Sequence, residues 1–380
     1  MSMCYHPWVG LDISPQGEFK PCCKYKDVLG STFNEYESST ALLQLKEDFK
    51  NGVRNPGCYR CWQDEDAGIE SKRLLDNKYV FNNTAPDLTS LKVVGTTFGN
   101  TCNLACRTCG SYASSKWSQE AKQVEDKFPE VVIHNHTQFY RDPEFISQFN
   151  KRVQDVIHFE FAGGEPFYAD SEAHLSLLSE LVSSGKSRDI SLHYITNGTK
   201  FPNSDLTKAA WPHFKKVDIQ VSIDGIRDQF EYTRWPAKWS SLLLILGKLE
   251  DYRQQSHNVQ LSISHTVSIF NVWDLPETLA WFKKNRLPNP YLGLVSKPEH
   301  FSITVFPKSS KKEIDSKLSV YPDLAPIVKA LWARDDSHLL DLTAKYVKIH
   351  DTRRQQSFAV TFPQTYQLLG NQCQTLYQLY

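Results

Sequence analysis

From about residue 92 onward the sequence repeats one pattern, a short apolar run followed by a helical segment, and this repeat limits the fold most. Runs of β-branched or aromatic residues closed by Gly, Asn or Asp predict strands at 92–99, 155–164, 190–199, 216–225 and 259–268. "HFSITVF" (300–306) predicts a sixth strand, and helical patterns lie between the runs at 171–185, 239–254 and 275–285. Strand–helix alternation favours parallel strands with right-handed crossovers. Six such units predict an α/β fold with an open, partial (β/α)6 barrel.

The two ends of the chain do not follow this repeat. "VGLDISPQGEFKPCC" alternates apolar and polar residues around Pro15-Gln16-Gly17, which predicts a β-hairpin. "TALLQLKEDFKNG" predicts a helix with one apolar face, formed by Leu42, Leu45 and Phe49. We therefore expect three regions: a small N-terminal block of a hairpin and helices, the barrel, and a C-terminal extension packed on the core, at 1–90, 91–306 and 307–380.

The charge balance and the first residues predict the compartment. The chain has 43 Lys and Arg residues and 43 Asp and Glu residues, so no net charge attracts nucleic acid or an anionic membrane. "MSMCYHPWVGLDISPQG" lacks the basic segment and apolar run of a signal peptide. No window approaches the roughly 20 apolar residues that span a bilayer. The sequence predicts a cytoplasmic protein with no membrane and no specific nucleic acid as partner.

The cysteines are the strongest chemical signal. Eight of the nine cysteines lie in the first 109 residues, and clustered cysteines in a long cytoplasmic chain more often bind metal than form disulfides. Cys102, Cys106 and Cys109 follow the first predicted barrel strand directly. A zinc site usually takes four ligands in two pairs. Three thiolates from one loop instead suit a [4Fe–4S] cluster in which three irons are tied and the fourth stays open.

The C-x3-C-x2-C loop, followed by "GGEP", "TNGT" and "SIDG" at successive strand ends, resembles the radical S-adenosylmethionine (radical SAM) superfamily over roughly residues 90–306. The resemblance implies that the open iron chelates S-adenosylmethionine and that reductive cleavage gives a 5′-deoxyadenosyl radical, which abstracts a hydrogen atom. It also implies the ligands of the cluster and of the cofactor. These are Cys102, Cys106 and Cys109 for the cluster; Gly163, Gly164 and Glu165 for the methionine amino group; Thr196, Asn197, Ser222 and Asp224 for the ribose hydroxyls or the methionine carboxylate; and Arg234 for that carboxylate.

Each of these cofactor motifs has an ordinary alternative when it is taken alone. The "GGE" segment also fits a strand-to-helix turn, and "TNG" and "SID" also fit polar strand ends. Arg234 equally fits a solvated helix arginine. The sequence identifies no catalytic residue beyond these cofactor ligands.

The N-terminal cysteines form a second group. One cysteine, a hairpin, a further cysteine, a helix and C-x2-C resemble the auxiliary-cluster modules called SPASM or twitch domains, which usually follow the barrel rather than precede it. The resemblance implies a second [4Fe–4S] cluster with Cys4, Cys22, Cys58 and Cys61 as ligands. Cys23 is the alternative to Cys22, because adjacent strand residues point to opposite faces. Structural zinc is the alternative metal.

Taken together, these features predict a radical SAM enzyme that modifies a peptide or protein side chain, with an electron donor such as flavodoxin or ferredoxin. Dehydrogenation or rearrangement of a nucleotide or sugar is the alternative reaction. A metal-binding adaptor without turnover is the alternative of another class. Cys373 fits a spare thiol, a late ligand or an active-site residue.

Overall fold

The computed structural model describes residues 3–122, 134, 136–168 and 171–379. Within these residues the strands form one eight-stranded sheet in the order β2-β1-β3-β4-β5-β6-β7-β8. All neighbours from β1 to β8 pair in parallel, and β2 pairs with β1 antiparallel. The strands are β1 (Gly10–Ile13), β2 (Phe19–Lys20), β3 (Val93–Thr96), β4 (His158–Phe161), β5 (Ser191–Thr196), β6 (Lys216–Ser222), β7 (Val259–Val267) and β8 (Tyr291–Leu294).

The helices fall into three groups along the chain. The N-terminal block contributes α1 (His6–Val9), α2 (Phe33–Ser38), α3 (Thr40–Lys50), α4 (Tyr59–Ala67) and α5 (Lys72–Tyr79). The barrel contributes α6 (Ser115–Lys122), α7 (Pro143–Arg152), α8 (Ser171–Ser183), α9 (Asp228–Thr233), α10 (Trp239–Gln255) and α11 (Leu275–Lys284). The C-terminal extension contributes α12 (Lys308–Leu318), α13 (Ala325–Leu331), α14 (Leu340–Arg354), α15 (Phe358–Thr361), α16 (Pro363–Leu368) and α17 (Gly370–Leu379). The side chain of Cys373 lies outside the described residues.

The parallel α/β fold is confirmed, but the sixth predicted barrel strand is wrong. The first five predicted runs are strands β3 to β7, whereas 300–306 forms two 3-10 turns and β8 is the sixth barrel strand. In the turns, the Ser302 hydroxyl accepts a hydrogen bond from the Thr304 backbone N–H at 3.3 Å, which competes with an extended ladder. His300 to Val305 are all buried, so the segment lacks the alternation that marks a half-buried strand.

The N-terminal block joins the barrel sheet. The predicted hairpin is confirmed, with Asp12 opposite Lys20, and its first strand pairs in parallel with β3. The predicted helix is also confirmed as α3, which buries Leu42, Leu45 and Phe49. Buried residues of this block share one core cluster with residues of β3 to β7. The block therefore extends the barrel wall.

The two faces of the sheet differ in polarity. Phe159, Tyr194 and Ile219 lie on one face, in the core shared with the barrel helices. The opposite face carries a row of ionisable side chains in one register line, formed by Asp12, Glu160, His193 and Asp218. Lys72 of α5 pairs with Glu160, and His193 contacts Asp218 at 2.8 Å. The charges on this polar face are therefore largely paired with one another.

Candidate active site

The predicted motifs meet at one edge of the sheet because each follows the carboxyl end of a parallel strand. The cysteine loop, residues 97–114, joins β3 to α6, and its three thiols are half-buried. Hydrogen bonds fix this irregular loop from several sides. The indole N–H of Trp117 donates to the Cys106 carbonyl at 2.8 Å, and the Ala105 N–H donates to the Trp235 carbonyl at 2.8 Å.

N–H donors from other segments lie against two of the three thiols. The Asn197 side-chain N–H donates to Cys102 Sγ at 3.8 Å, and the Leu104 backbone N–H donates to the same sulfur at 3.5 Å. The Arg234 guanidinium donates to Cys106 Sγ at 3.9 Å. Hydrogen bonds and a positive charge at sulfur favour the thiolate over the thiol. The structure thus brings "TNG" and Arg234 to the cysteine loop.

Burial opposes the thiolate form in the metal-free protein. It raises the pKa of Cys109 to about 11 and raises the pKa of Cys102 and Cys106 above the ordinary thiol value. The Arg234 charge lowers the pKa of Cys106 against this trend. Burial therefore favours the protonated thiols, and binding of a metal must release their protons.

The described residues contain no group of three or more His, Cys, Asp or Glu side chains that could hold a metal ion. An iron–sulfur cluster makes a different demand, because each cysteine binds a separate iron and the sulfurs need not converge on one point.

The "GGE" turn is pressed against the cysteine loop. Gly163 and Gly164 have φ angles of 76° and 60°, the left-handed region that glycine adopts most readily. A Cβ atom on Gly164 would lie 2.6 Å from the Thr101 carbonyl oxygen. The Glu165 N–H donates to that carbonyl at 2.9 Å. Glycine is therefore required here so that the two backbones can approach each other.

Glu165 is completely buried and points toward the "TNG" turn. Its carboxylate accepts hydrogen bonds from the Thr196 hydroxyl and the Asn197 backbone N–H, both at 2.7 Å. Burial raises the pKa of Glu165 to about 7, although these donors lower it. Three of the predicted cofactor residues thus form one hydrogen-bonded group, more than an ordinary turn requires.

Asp224 and Arg234 form a buried ion pair at 2.8 Å, and Ser222 contacts Ser264 at 3.1 Å between their hydroxyls. Arg234 is only 8% exposed, so the alternative of a solvated helix arginine is wrong. The Nε atom of Arg234 is buried without a hydrogen-bond partner among the described residues. A buried donor of this kind is costly, so an acceptor bound beside it would stabilise the site.

Sequence reasoning missed two residues inside the cysteine loop. Asn103 accepts a hydrogen bond from the Asn197 side chain at 2.9 Å and donates to the Thr199 hydroxyl at 2.9 Å. Arg107 is completely buried and pairs with Asp351 of α14 at 2.6 Å. A partner 244 positions away in the chain gives no local signal, so only the fold could reveal this pair.

Four of the N-terminal cysteines lie close together. Burial raises the pKa of Cys4, and the thiols of Cys58 and Cys61 raise it further. Cys22 is likewise within electrostatic reach of Cys4 and Cys61. Backbone N–H groups at the start of α1 and α5 face the Cys4 and Cys61 thiols. Electrostatic interactions therefore connect these four thiols.

Cys22 and Cys23 differ in their surroundings. Cys22 is half-buried among the other N-terminal thiols, whereas Cys23 is exposed. The charged groups nearest Cys23 belong to the polar face of the sheet and include Lys72 and Asp12. The two adjacent side chains thus have different neighbours, although they lie in a turn after β2 and not, as the sequence had predicted, on a strand.

No protein-family model matches the chain, and no curated protein matches it in sequence. Among solved structures it is similar to native anSMEcpe with bound AdoMet, at 16% identity and a TM-score of 0.44, over 70% of this chain and 67% of that chain. It is also similar to native anSMEcpe with bound AdoMet and Kp18Cys peptide, at 15% identity and a TM-score of 0.42, over 70% of this chain and 62% of that chain. A third similar structure is SuiB of Streptococcus suis bound to S-adenosylmethionine, at 12% identity and a TM-score of 0.35, over 76% of this chain and 58% of that chain.

Among the described residues, no helix combines the length and the apolar composition needed to cross a membrane.

Proposed function

We propose that this protein is a radical SAM enzyme whose cysteine loop holds a [4Fe–4S] cluster through Cys102, Cys106 and Cys109. One observation carries the proposal. Donors from two other motifs, Asn197 and Arg234, reach the thiols of this loop at the carboxyl edge of a parallel sheet. A loop that merely connected β3 to α6 would not need three thiols, two of them with N–H donors directed at their sulfurs.

The residues present fit the group. Three thiols supply soft ligands for three irons, and their N–H donors offset part of the charge that builds up on the sulfurs. The buried, unpartnered Nε of Arg234 supports a bound group beside Cys106. When bound, the cluster and S-adenosylmethionine would supply an electron transfer that yields a 5′-deoxyadenosyl radical able to abstract a hydrogen atom.

The chain's own residues bind and orient the cofactor and exclude water. Glu165, with Gly163 and Gly164, would accept hydrogen bonds from the methionine amino group. Thr196 and Asn197 hold that carboxylate in position. Ser222 and Asp224 lie at the end of β6 and Arg234 lies at the end of α9, and these groups would bind the ribose hydroxyls and the methionine carboxylate. Burial of these groups keeps water out and strengthens each polar contact.

We also propose that the N-terminal block binds a second [4Fe–4S] cluster through Cys4, Cys22, Cys58 and Cys61. The mutual proximity of these thiols supports the assignment, and the exposure of Cys23 favours Cys22 as the ligand. Zinc is the alternative metal. With all four irons tied, the second cluster would relay an electron, with flavodoxin or ferredoxin as the external donor.

The proposed substrate is a peptide or protein side chain. A cavity of about 890 Å³ lies at the carboxyl ends of β7 and β8, and its volume is near the upper end of the usual range for ligand sites. This room at the strand ends supports a substrate of several residues. Product analysis by mass spectrometry would separate this reaction from the alternative on a nucleotide or sugar.

The experiment is anaerobic purification followed by iron analysis and a cleavage assay. The wild type should contain about eight irons per chain, or about four with zinc in the second site. With dithionite and S-adenosylmethionine it should form 5′-deoxyadenosine, and the Cys106→Ala variant should form none. The matched Cys23→Ala variant, which leaves the cysteine loop intact, should still form it. Product formation by Cys106→Ala would refute the cluster assignment.

A further inference from the structure

The cavity at the ends of β7 and β8 has three walls. Val267, Leu294 and Val295 line it at the sheet, α4 and α13 line two other sides, and further residues between 296 and 334 complete the lining. The lining from the helices includes Arg60, Asp64 and Ala67 of α4 and Ala325, Val328 and Ala330 of α13. Most of this surface is apolar, so the few charged groups set the chemistry of what binds.

The α4 wall of the cavity includes Arg60, whose neighbours come from both cysteine-bearing segments. Arg60 lines the cavity and directly precedes Cys61, one of the N-terminal thiols. Tyr112 of the cysteine loop lies within electrostatic reach of Arg60, which lowers the pKa of Tyr112, while the Cys109 thiol and burial raise it. A ligand bound at Arg60 would therefore lie near Tyr112 of the cysteine loop.

The cavity carries an excess of unpaired positive charge. Lys24, Arg60 and Lys329 line it, and none has an ion-pair partner among the described residues. Two other charged lining residues are already neutralised, because Asp66 pairs with Arg54 at 2.8 Å and Arg334 pairs with Asp336 at 3.1 Å. Three cations therefore face one remaining carboxylate, Asp64. This charge complements an acidic ligand.

Asp64 is buried to 93% of its surface, with 7% exposed, and has no hydrogen-bond or ion-pair partner among the described residues. Burial raises the pKa of its carboxyl group, and Lys24 lowers it. The exposed part of Asp64 includes its carboxylate oxygens, which are therefore open to a ligand in the cavity. Asp64 is therefore suited to accept an N–H or O–H donor from a ligand in the cavity.

We propose that the cavity between α4, α13 and the ends of β7 and β8 binds an acidic segment of the peptide substrate. Carboxylates of the segment pair with Lys24, Arg60 and Lys329, and one of its N–H or O–H groups donates to Asp64. The inference rests on the proposed function for the peptide nature of the substrate. It adds the charge class of that peptide and the residues of this chain that select it.

The test is a selection from a random dodecapeptide library displayed on mRNA, against the anaerobically purified holoenzyme. Peptides retained by the wild type should contain Asp and Glu at twice the input frequency or more. Arg60→Glu and Lys329→Glu should return that frequency to the input value. Lys248→Glu makes the same charge change on the exposed side of α10 and should behave as the wild type.

The inference is overturned if no peptide is retained, if retained peptides show no acidic excess, or if Arg60→Glu and Lys329→Glu leave the excess unchanged. For one retained peptide, Asp64→Ala should weaken binding at least tenfold in fluorescence anisotropy while the acidic preference persists. Unchanged affinity would remove Asp64 from the site. The iron content of each variant shows whether Arg60→Glu disturbs metal binding at the neighbouring Cys61 and not peptide binding. Lys329→Glu is free of this ambiguity, because no cysteine lies near Lys329 in the chain.

Failure of this inference and failure of the proposed function give different results. If iron is bound and 5′-deoxyadenosine forms but no acidic preference appears, the cavity assignment is wrong and the radical SAM proposal stands. If acidic peptides are retained by a protein that neither binds iron nor cleaves S-adenosylmethionine, the enzyme proposal is wrong and the charge preference of the cavity stands.

Discussion

A buried ion pair between Arg107 and Asp351 ties the cysteine loop to the C-terminal extension. The two side chains are 0% and 2% exposed, and their charged groups are 2.6 Å apart. Arg107 also donates to the Gln356 side chain at 2.9 Å, and its guanidinium lies 3.9 Å from the centre of the Tyr232 ring. We expect this pair to control the stability of the loop that carries the three thiols.

The Asp351→Leu substitution would leave the Arg107 guanidinium buried without a carboxylate. Breaking a buried pair in this way costs about 3–5 kcal/mol of unfolding free energy. For 380 residues, at about 2.1 cal/mol/K of unfolding entropy per residue, a loss of about 4 kcal/mol lowers Tm by about 5 °C. Arg107→Met should cost about 1–3 kcal/mol. Its effect is smaller because Asp351 still accepts hydrogen bonds from the Phe358 N–H at 2.6 Å and the Tyr377 hydroxyl at 2.7 Å.

The double variant Arg107→Met/Asp351→Leu should lose less stability than the sum of the two singles, because no charge is left unpaired. Urea denaturation under anaerobic conditions, followed by circular dichroism and tryptophan fluorescence, measures all three losses. Glu250→Leu is the matched control, since its pair with Arg253 at 2.6 Å is about 40% exposed and should contribute less than about 1 kcal/mol. A loss below 1 kcal/mol for Asp351→Leu, or strict additivity in the double variant, would refute the reasoning.

Three further changes test other parts of the structure. Gly164→Ala should lower the rate of 5′-deoxyadenosine formation at least tenfold, measured by chromatography, because its Cβ would lie 2.6 Å from the Thr101 carbonyl; a rate within twofold of the wild type contradicts this. Burial lowers the pKa of three histidines to about 3 or 4: His174, His300 and His350. In the unfolded chain these histidines bind a proton below about pH 6.5, whereas in the folded protein they stay neutral down to about pH 4. As the pH is lowered through that window, the free energy of unfolding should therefore fall by up to ~1.4 kcal/mol per pH unit for each histidine. His174→Gln should remove one proton's worth of that slope in urea titrations, and an unchanged slope would place the titration elsewhere. Cys22→Ser should lose the metal of the N-terminal site while Cys23→Ser keeps it; the reverse metal contents would exchange the two assignments.

Much of the barrel could be predicted because its signals are local. Strands β3 to β7 are short runs with turn residues at their ends, and the spacing of the three loop cysteines lies within eight residues. The strand-end motifs could be assigned to one edge of the sheet from strand direction alone. The prediction of a strand at 300–306 was wrong, because the segment His300–Val305 is fully buried, and an apolar run without alternation is compatible with either a strand or buried turns.

The sequence by itself determined the alternating elements, the parallel sheet and the three-thiol loop, because backbone geometry links these to residue types a few positions apart. Only the tertiary structure decided that β1 lies beside β3, that Asp351 neutralises Arg107, and that an unpaired Asp64 lines a cationic cavity. These contacts join residues about 80 to more than 260 positions apart. Their formation depends on the burial and charge balance of the whole chain, which no local window of sequence contains.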